Sequence, residues 1–498
     1  MRISYLVNIV KYMLDTRSIY ASRKEIFKIL TSDPEYPSLE SISAILSYYG
    51  ITSNAYITDF NHIKELNNPI IHSNENGGHF YILKEQRDNL VYLYDGKNIK
   101  LTLKQFEDLW DGIILVTDNN IMVTNTCFPP LLKIFIIVSL IIIYVYSLYI
   151  SSYKSLLLLD GIGLTLSYLL LNKQLFSFAN MPFCIQGKKV DCEYVFQKSP
   201  FKKWLPVNLP ILGICFFLFD YLYLIFFGWD SLSLLPFYLC GSIFMASMII
   251  YQLFVIKKYC LYCIGVSVAV FIKAVIGIIN FNTFINLFHI FISALISFSI
   301  CSLIFLYKTI EKRNFDNEIS LLKIKRNKKV INTLFNNKQQ ILSPCNNVLS
   351  YGNPEANIKI TTFINLDCEY CKKTTQDMIL LLKKFPKRFC WNLIIDGYIS
   401  SELSDKEFEH INCRQLYIYS SYKTENKKNL PRLNMNIPKK WSCPISLMQQ
   451  YKVLLESVKK LNIIHYPVIL INNKVLPKEY EIKDLQYLST HAVYNIEN

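Results

Sequence analysis

Between residues 131 and 307 the chain carries six apolar runs, near 131–150, 155–172, 207–227, 233–256, 261–280 and 284–307. Each is about long enough to cross a hydrocarbon core of roughly 30 Å. Six such runs in succession leave little polar surface to face water, so this part of the chain is expected to form an α-helical membrane bundle of about six spans. The run that reads LLLLDGIGLTLSYLLLN carries Asp160 among hydroxyl residues. It is expected to face neighbouring helices and not lipid, because a carboxylate is costly against acyl chains.

Both flanks have the periodicity of soluble domains. Residues 1–126 contain no cysteine and alternate a helix-like SLESISAILSYYG (38–50) with strand-like GHFYILK (78–84) and NLVYLYDG (89–96), which predicts an α+β domain. After Gly352, IKITTFI (358–364) predicts a strand and CEYCKKTTQDMILLLKKF (368–385) a helix that opens with a cysteine pair. FCWNLIID (389–396) follows as a second strand, then a helix over 445–461, a hairpin in YPVILINNKVLP (466–477) and a closing helix near 482–488. The domain plan is therefore 1–126, a membrane domain 131–307, a linker 308–349 holding the charge-dense EKRNFDNEISLLKIKRNKK as linker or exposed helix, and 350–498. The opening MRISYLVNIVKYMLDTR lacks a small-residue cleavage site after its apolar part and is not read as a signal peptide. The net charge of +15 comes from lysines scattered along the chain, which does not make a nucleic-acid surface.

Six of the fourteen cysteines fall in pairs, Cys184/Cys192, Cys260/Cys263 and Cys368/Cys371, and that spacing points to thiol–disulfide exchange. Cys368 opens a helix, where unpaired N–H groups and the positive end of the helix dipole stabilise its thiolate. A stabilised thiolate is also a good leaving group, so its disulfide passes on readily. A zinc knuckle or a structural disulfide are the alternatives; the strand before the pair and the proline hairpin after it argue against both. Through INLDCEYC and HYPVILINNKVLP, residues 350–490 resemble the thioredoxin-like oxidoreductases of the DsbA type. That resemblance implies a thioredoxin fold in which Pro467 follows a cis bond and faces the two sulfurs.

Two further segments, FCIQGKKVDCEYVFQKSP and KKYCLYCIG, stand in the order and spacing of the vitamin K epoxide reductase family, which residues 155–307 resemble. The resemblance implies that Cys260 and Cys263 face a membrane quinone of the menaquinone or ubiquinone type, that Cys184 and Cys192 shuttle electrons to them, and that Asn208 stands near the quinone. No metal is implied. Ser267 stands where some relatives carry a tyrosine, so hydrogen bonding to the quinone is expected to differ there.

At the N-terminal end, SLESISAILSYYGI, GGHFYILKEQRDNLVYLYDG and LTLKQFEDLWDGIILV resemble, over residues 30–117, the papain-like cysteine peptidase domain that trims leader peptides in bacteriocin ABC exporters. His79 would be the base and Asp95 its orienting carboxylate, but no cysteine precedes Cys127, so thiol-protease chemistry has no nucleophile. The domain is expected to be an inactive peptidase retained to bind peptide. No GxxxxGK[ST] motif is present, so no exporter ATPase is expected.

Span parity puts all three cysteine pairs and the N-terminal domain on one membrane face. Disulfide formation puts that face in the periplasm. The lysines disagree: Lys173, Lys188, Lys189, Lys198, Lys202, Lys203, Lys257 and Lys258 stand on the cysteine side against Lys154 opposite. The redox requirement is taken as the stronger, and one alternative is that residues 131–150 do not cross. The resulting expectation is an inner-membrane thiol–disulfide oxidoreductase that couples disulfide formation in exported proteins or peptides to quinone reduction. A peptide-binding maturation factor, or a disulfide reductase or isomerase, is the alternative. Cys215, Cys240 and Cys301 are expected to be packing residues; Cys345 and Cys390 lie in or near the last domain, where Cys413 and Cys443 are expected to form a structural disulfide.

Overall fold

A computed structural model describes residues 4–63, 66, 68–73, 78–87, 90–117, 131–176, 190, 192, 194–195, 209–280, 286–344, 347–400, 402–424, 437–438 and 441–487. Two compact units emerge, one built from residues 1–7 and 126–318, the other from 8–125 and 319–498.

The first unit is helical. Helices α6 (Leu131–Ile150), α7 (Lys154–Leu175), α8 (Leu209–Phe226), α9 (Ser231–Tyr251), α10 (Leu261–Ile279) and α11 (Leu287–Lys325) follow the six apolar runs, and α9 ends in a π-helical turn, Gln252–Ile256. Five stretches among the described residues are long and apolar enough to cross a membrane; in α6 the apolar stretch Val138–Ile150 is shorter than these. Its Leu140, Ile141, Ile142 and Ile143 are exposed, as suits a lipid-facing surface. Of the two readings of residues 311–329, linker or exposed helix, the structure has the helix: α11 runs through the 307/308 boundary to Lys325, because neither glycine nor proline interrupts the charged stretch, and a further helix, α12 (Lys328–Asn336), follows.

Asp160 is fully buried and faces neighbouring helices, as expected. The Lys273 ammonium lies 2.8 Å from Asp160 Oδ1, pairs with Asp220 and donates to the Leu156 carbonyl at 3.2 Å, while Tyr238 donates to Asp220 Oδ1 at 2.6 Å. α7, α8, α9 and α10 are thereby pinned to one another by groups that cannot leave for water. Gly163 lets α7 and α8 close, since a Cβ there would stand 2.3 Å from the Phe217 ring.

The second unit holds both soluble domains. In the N-terminal one, α1 (Ser4–Asp15), α2 (Arg23–Thr31) and α3 (Leu39–Tyr48) precede a six-stranded antiparallel sheet in the order β1 (Ser53–Ile57), β6 (Trp110–Thr117), β2 (Ile70–Ser73), β3 (His79–Arg87), β4 (Leu90–Tyr94), β5 (Asn98–Thr102), with the short helices α4 (Phe60–Ile63) and α5 (Leu103–Leu109) between strands. Ser22 caps α2, and Ser38 with Ser41 forms a capping box at α3, satisfying N–H groups that the first turns leave open.

The C-terminal sheet has the order β11 (Lys474–Val475), β10 (Val468–Ile471), β8 (Ile358–Ile364), β9 (Phe389–Ile395), β7 (Leu349–Gly352). Only β8 and β9 are parallel, joined by the crossover helix α13 (Glu369–Lys384). A central strand, a CxxC helix, a parallel strand and an antiparallel hairpin back on the central strand make a thioredoxin fold. The central β8 is buried at every position but one, and the Trp391 indole, itself buried, donates to Thr362 Oγ1 at 2.8 Å.

The two soluble domains pack on each other. Arg326 Nη2 pairs with Asp33 Oδ2 at 2.5 Å, and its Nη1 donates to the Ile29 carbonyl at 2.6 Å and Ser32 Oγ at 2.9 Å. Lys384 donates to the Tyr48 hydroxyl at 2.6 Å, and the Tyr48 ring stacks on Tyr487 with centroids 5.8 Å apart. Lys384 ends the helix that Cys368 begins, so the N-terminal domain is seated at the end of α13 away from the cysteines.

Candidate functional site

Cys368 occupies the N-cap of α13, where its Sγ accepts from the Cys371 backbone N–H at 3.4 Å. The Tyr466–Pro467 bond is cis, and the Tyr466 carbonyl stands 3.7 Å from Cys368 Sγ. Cys368 is half-buried; Cys371, one helical turn on, is fully buried and accepts from the Asn365 N–H at 3.5 Å. The environments split the two thiols. A hydrogen bond from the Cys371 thiol, then the Cys371 and Tyr370 N–H groups and the nearby Lys372, hold the Cys368 thiol below its ordinary value. Burial, aided by the Cys368 sulfur, pushes Cys371 up to about 12. One sulfur is ready to attack and the other stays protonated until the first is engaged.

Asp396, at the end of β9, was not legible in the sequence. Burial raises its carboxyl above the usual carboxylate range, against hydrogen bonds from the Tyr466 hydroxyl, the Gly397 N–H and the Asn365 side chain. Asn365 also touches Cys371 and Tyr466 touches Cys368, so Asp396 ties together the two residues that hold the sulfurs. Tyr466 lies beside Cys371 as well.

In the membrane unit the second CxxC begins its helix in the same way. Cys260 is the N-cap of α10 and its Sγ accepts from the Cys263 N–H at 3.3 Å. Its own N–H donates to Gln252 Oε1 at 3.1 Å, from the π-helical turn. Cys192 and Cys260, both fully buried, belong to one apolar cluster with Leu170, Phe217 and Tyr262, and Cys263 packs against it. Val190 bridges to Tyr259 and the Lys258 ammonium lies 4.2 Å from the Tyr194 ring centre, so the segment that carries Cys192 runs alongside the approach to the CxxC. Cys192 is disulfide-bonded, and every other described cysteine is free. Cys184 and Asn208 lie outside the described residues, as do Cys127 and Cys345.

Beside Cys263 opens a cavity of about 800 Å³, walled chiefly by aromatic and aliphatic side chains such as Phe216, Phe237, Phe244 and Met248. Ser267, in that wall, donates to the Cys263 carbonyl at 2.9 Å. Cys215 and Cys240 also line the cavity, while Cys301 is buried in an apolar cluster against which Cys215 packs. The expected disulfide between Cys413 and Cys443 is corrected: both are free, and burial together with Glu409 and Cys413 pushes the Cys443 thiol up to about 11. Cys390 is free and buried. No group of three or more metal-ligating side chains occurs among the described residues.

In the N-terminal domain His79 Nε2 lies 3.4 Å from Asp95 Oδ2, so the sheet brings the two expected remnant residues together. Gly96, at φ +111°, allows the Asp95 turn to approach Asn8 of α1, where a Cβ would meet the Asn8 amide at 2.3 Å. A second pair, His72 with Asp111, lies across β2 and β6 and was not foreseen.

These features define a multi-pass membrane protein whose chemistry is thiol–disulfide oxidoreduction. Residues 8–121 match the model of the Peptidase C39 family and residues 154–278 that of the Vitamin K epoxide reductase family. The chain carries a vitamin K epoxide reductase family membrane domain between a peptidase C39 domain, whose matched segment contains no cysteine, and a domain with a thioredoxin fold. Among solved structures, a double glycine motif protease from an AMS/PCAT transporter in complex with its leader peptide is 17% identical, with 24% of this chain and 85% of that one covered at a TM-score of 0.21. Oxidised BdbD from Bacillus subtilis is 12% identical over 32% of this chain and 99% of its own, at 0.21. ScsC from Proteus mirabilis in a compact conformation is 13% identical over 40% and 99%, at 0.24. No curated protein matches the chain.

Proposed function

We propose that the protein is a quinone-coupled thiol oxidase in which three cysteine pairs act in series on exported proteins or peptides. The observation that carries this reading is the buried cluster in which disulfide-bonded Cys192 meets Cys260, with Cys263 beside an apolar cavity. A reduced client attacks the Cys368–Cys371 disulfide; the client leaves oxidised and the pair is left as a dithiol. The Cys184–Cys192 disulfide reoxidises that dithiol and is reduced in turn. Cys260–Cys263 then takes the two electrons and two protons and gives them to a quinone, which leaves as the quinol. The cavity has the size and apolar character for a quinone ring with the start of its tail.

The relay belongs on the oxidising face of the cytoplasmic membrane, since a reducing cytosol would drain it. Contact between the N-terminal and C-terminal domains supports α6 as a crossing helix, because domains joined through Arg326 and Lys384 occupy one side. The peptidase-like domain then holds client peptide near the redox pair without cutting it. Retention of the His79–Asp95 pair on a domain seated against the thioredoxin fold favours this client-binding role as a second function of the same chain.

The test is anaerobic turnover of the full-length protein with a reduced peptide and a quinone analogue, followed by quinone absorbance. Wild type is expected to reduce one quinone per disulfide formed. An unchanged rate in Cys260→Ala would sink the relay.

A further inference from the structure

Deepening the quinone reading above, we propose that Gln252 donates a hydrogen bond to a carbonyl oxygen of the quinone and couples it to the Cys260–Cys263 pair. The orientation of the carboxamide follows from its partner. A backbone N–H can only donate, so the atom facing Cys260 N at 3.1 Å is the Gln252 oxygen, and the amide NH2 points the other way. Gln252 is buried against protein on the side of Cys260 and lines the cavity, and its NH2 has no hydrogen-bond partner among the described residues.

A quinone carbonyl accepts hydrogen bonds and donates none, so in an apolar cavity it needs a donor whose own needs are otherwise unmet. Most of the cavity's hydroxyls are spent. Ser267 donates to the Cys263 carbonyl at 2.9 Å and Ser297 to the Ala294 carbonyl at 3.0 Å. Ser167 and the Gln252 amide are the uncommitted donors among the described polar residues of the wall, and of the two only Gln252 also touches the CxxC.

That double contact has a chemical consequence. When Cys260 and Cys263 reduce the quinone, two S–H bonds break, one S–S bond forms and two O–H bonds form on the quinone oxygens. Negative charge grows on a carbonyl oxygen as electrons arrive, and a donor already aimed there stabilises it without rearrangement. The same side chain holds the Cys260 N–H, so carbonyl and sulfur pair are registered to each other through one amide. The π-helical turn is what brings Gln252 under the start of α10, since it shifts the end of α9 by one residue relative to a regular helix.

Equilibrium binding to the full-length protein in nanodiscs tests this. The ligands are a benzoquinone analogue and the arene with the same tail and no carbonyls. Wild type is expected to prefer the quinone by about tenfold, the worth of a well-placed hydrogen bond in a dry site. Gln252→Met is expected to abolish that preference while binding the arene within twofold of wild type. Gln252→Glu at alkaline pH keeps the acceptor toward Cys260 and loses the donor, so it should lose the preference too while Cys260 reacts with a membrane-permeant maleimide as in wild type. A quinone preference that survives in both variants overturns the role of Gln252 alone. A wild-type protein that binds quinone and arene equally overturns the quinone reading with it.

Discussion

Cys260 caps a helix inside an apolar bundle and Cys368 caps one at the edge of a soluble domain, yet both helices open in the same way. In each the first sulfur accepts from the second cysteine's N–H, at 3.3 and 3.4 Å. In each a hydroxyl four residues beyond the second cysteine, Ser267 or Thr375, donates to that cysteine's carbonyl at 2.9 Å. What differs is the wall in front of the sulfurs. Cys368 is half open to water beneath the Tyr466 carbonyl, while Cys260 is sealed with Cys192 in an apolar cluster and Cys263 lines an apolar cavity. The cap prepares a thiol for exchange in both places, and in the function proposed above it is the surroundings that assign a polypeptide to one pair and a membrane-soluble acceptor to the other.

The largest expected effect separates these partners. Cys263→Ala should lower steady-state quinone reduction by about a thousandfold or more, as loss of a reacting sulfur does, while a single turnover of reduced peptide by the Cys368–Cys371 disulfide proceeds within twofold of wild type. Cys371→Ala leaves Cys368 with no disulfide to offer, so it should abolish the single turnover of reduced peptide itself and, with it, quinone reduction from that peptide. If Cys263→Ala slows the first client oxidation equally, the pairs are not separate stations.

How much of this was legible in the chain differs between the two regions. The spans and the CxxC helices stand out because lipid demands uninterrupted apolar runs and a helix start is marked by local residues. Asp396 and Gln252 do not stand out, since each acts across an element boundary: Asp396 reaches Asn365 and Tyr466 from the end of a parallel strand, and Gln252, in a π-helical turn, reaches forward to a residue eight places on. Lys273, within an apolar run, gave no sign that its partners were Asp160 and Asp220 on other helices. The charge-dense stretch 311–329 is compatible with linker or exposed helix, and the absence of helix breakers between Leu287 and Lys325 is what favours the helix.

Lys273 also supplies the next largest effect. The membrane bundle that holds Cys260 in place contains a buried ammonium with two carboxylates, whereas the core under Cys371 relies on Thr374, Met378 and Leu382. Lys273→Met leaves both carboxylates without their cation and should cost the bundle about 3–5 kcal/mol. A thermal melt of the protein in detergent should register this as a lowered first transition, with the thioredoxin-like domain melting as before. An unchanged melt would mean that the cluster does not hold the helices.

Alkylation measures the difference in surroundings directly. The thiolate is the reactive form, so lowering the Cys368 value keeps it reactive below the pH at which a free thiol fades, and its rate should fall only as pH drops through that depressed value. Cys371, pushed up to about 12, is almost wholly protonated at pH 8. Its lower thiolate fraction is offset in part by the greater nucleophilicity of a more basic sulfur, leaving a preference for Cys368 of at least about tenfold. Iodoacetamide followed by peptide mass mapping of the reduced protein reads this ratio. Cys260, sealed in the bundle, should resist a membrane-impermeant reagent that labels Cys368.

The smallest effect concerns the feature the two helices share. Ser267→Ala and Thr375→Val each remove a hydroxyl that donates to the second cysteine's carbonyl from four residues on. That carbonyl keeps its place in the helix ladder, so each loss should cost about 0.5–1.5 kcal/mol, the usual net worth of a hydrogen bond. Because the two bonds have the same length and join the same groups, their costs should agree within a factor of two in denaturation of the respective domains. If only Ser267→Ala also changes the quinone-to-arene binding ratio, the hydroxyl touches the cavity's contents and the likeness of the two helices ends at the first turn.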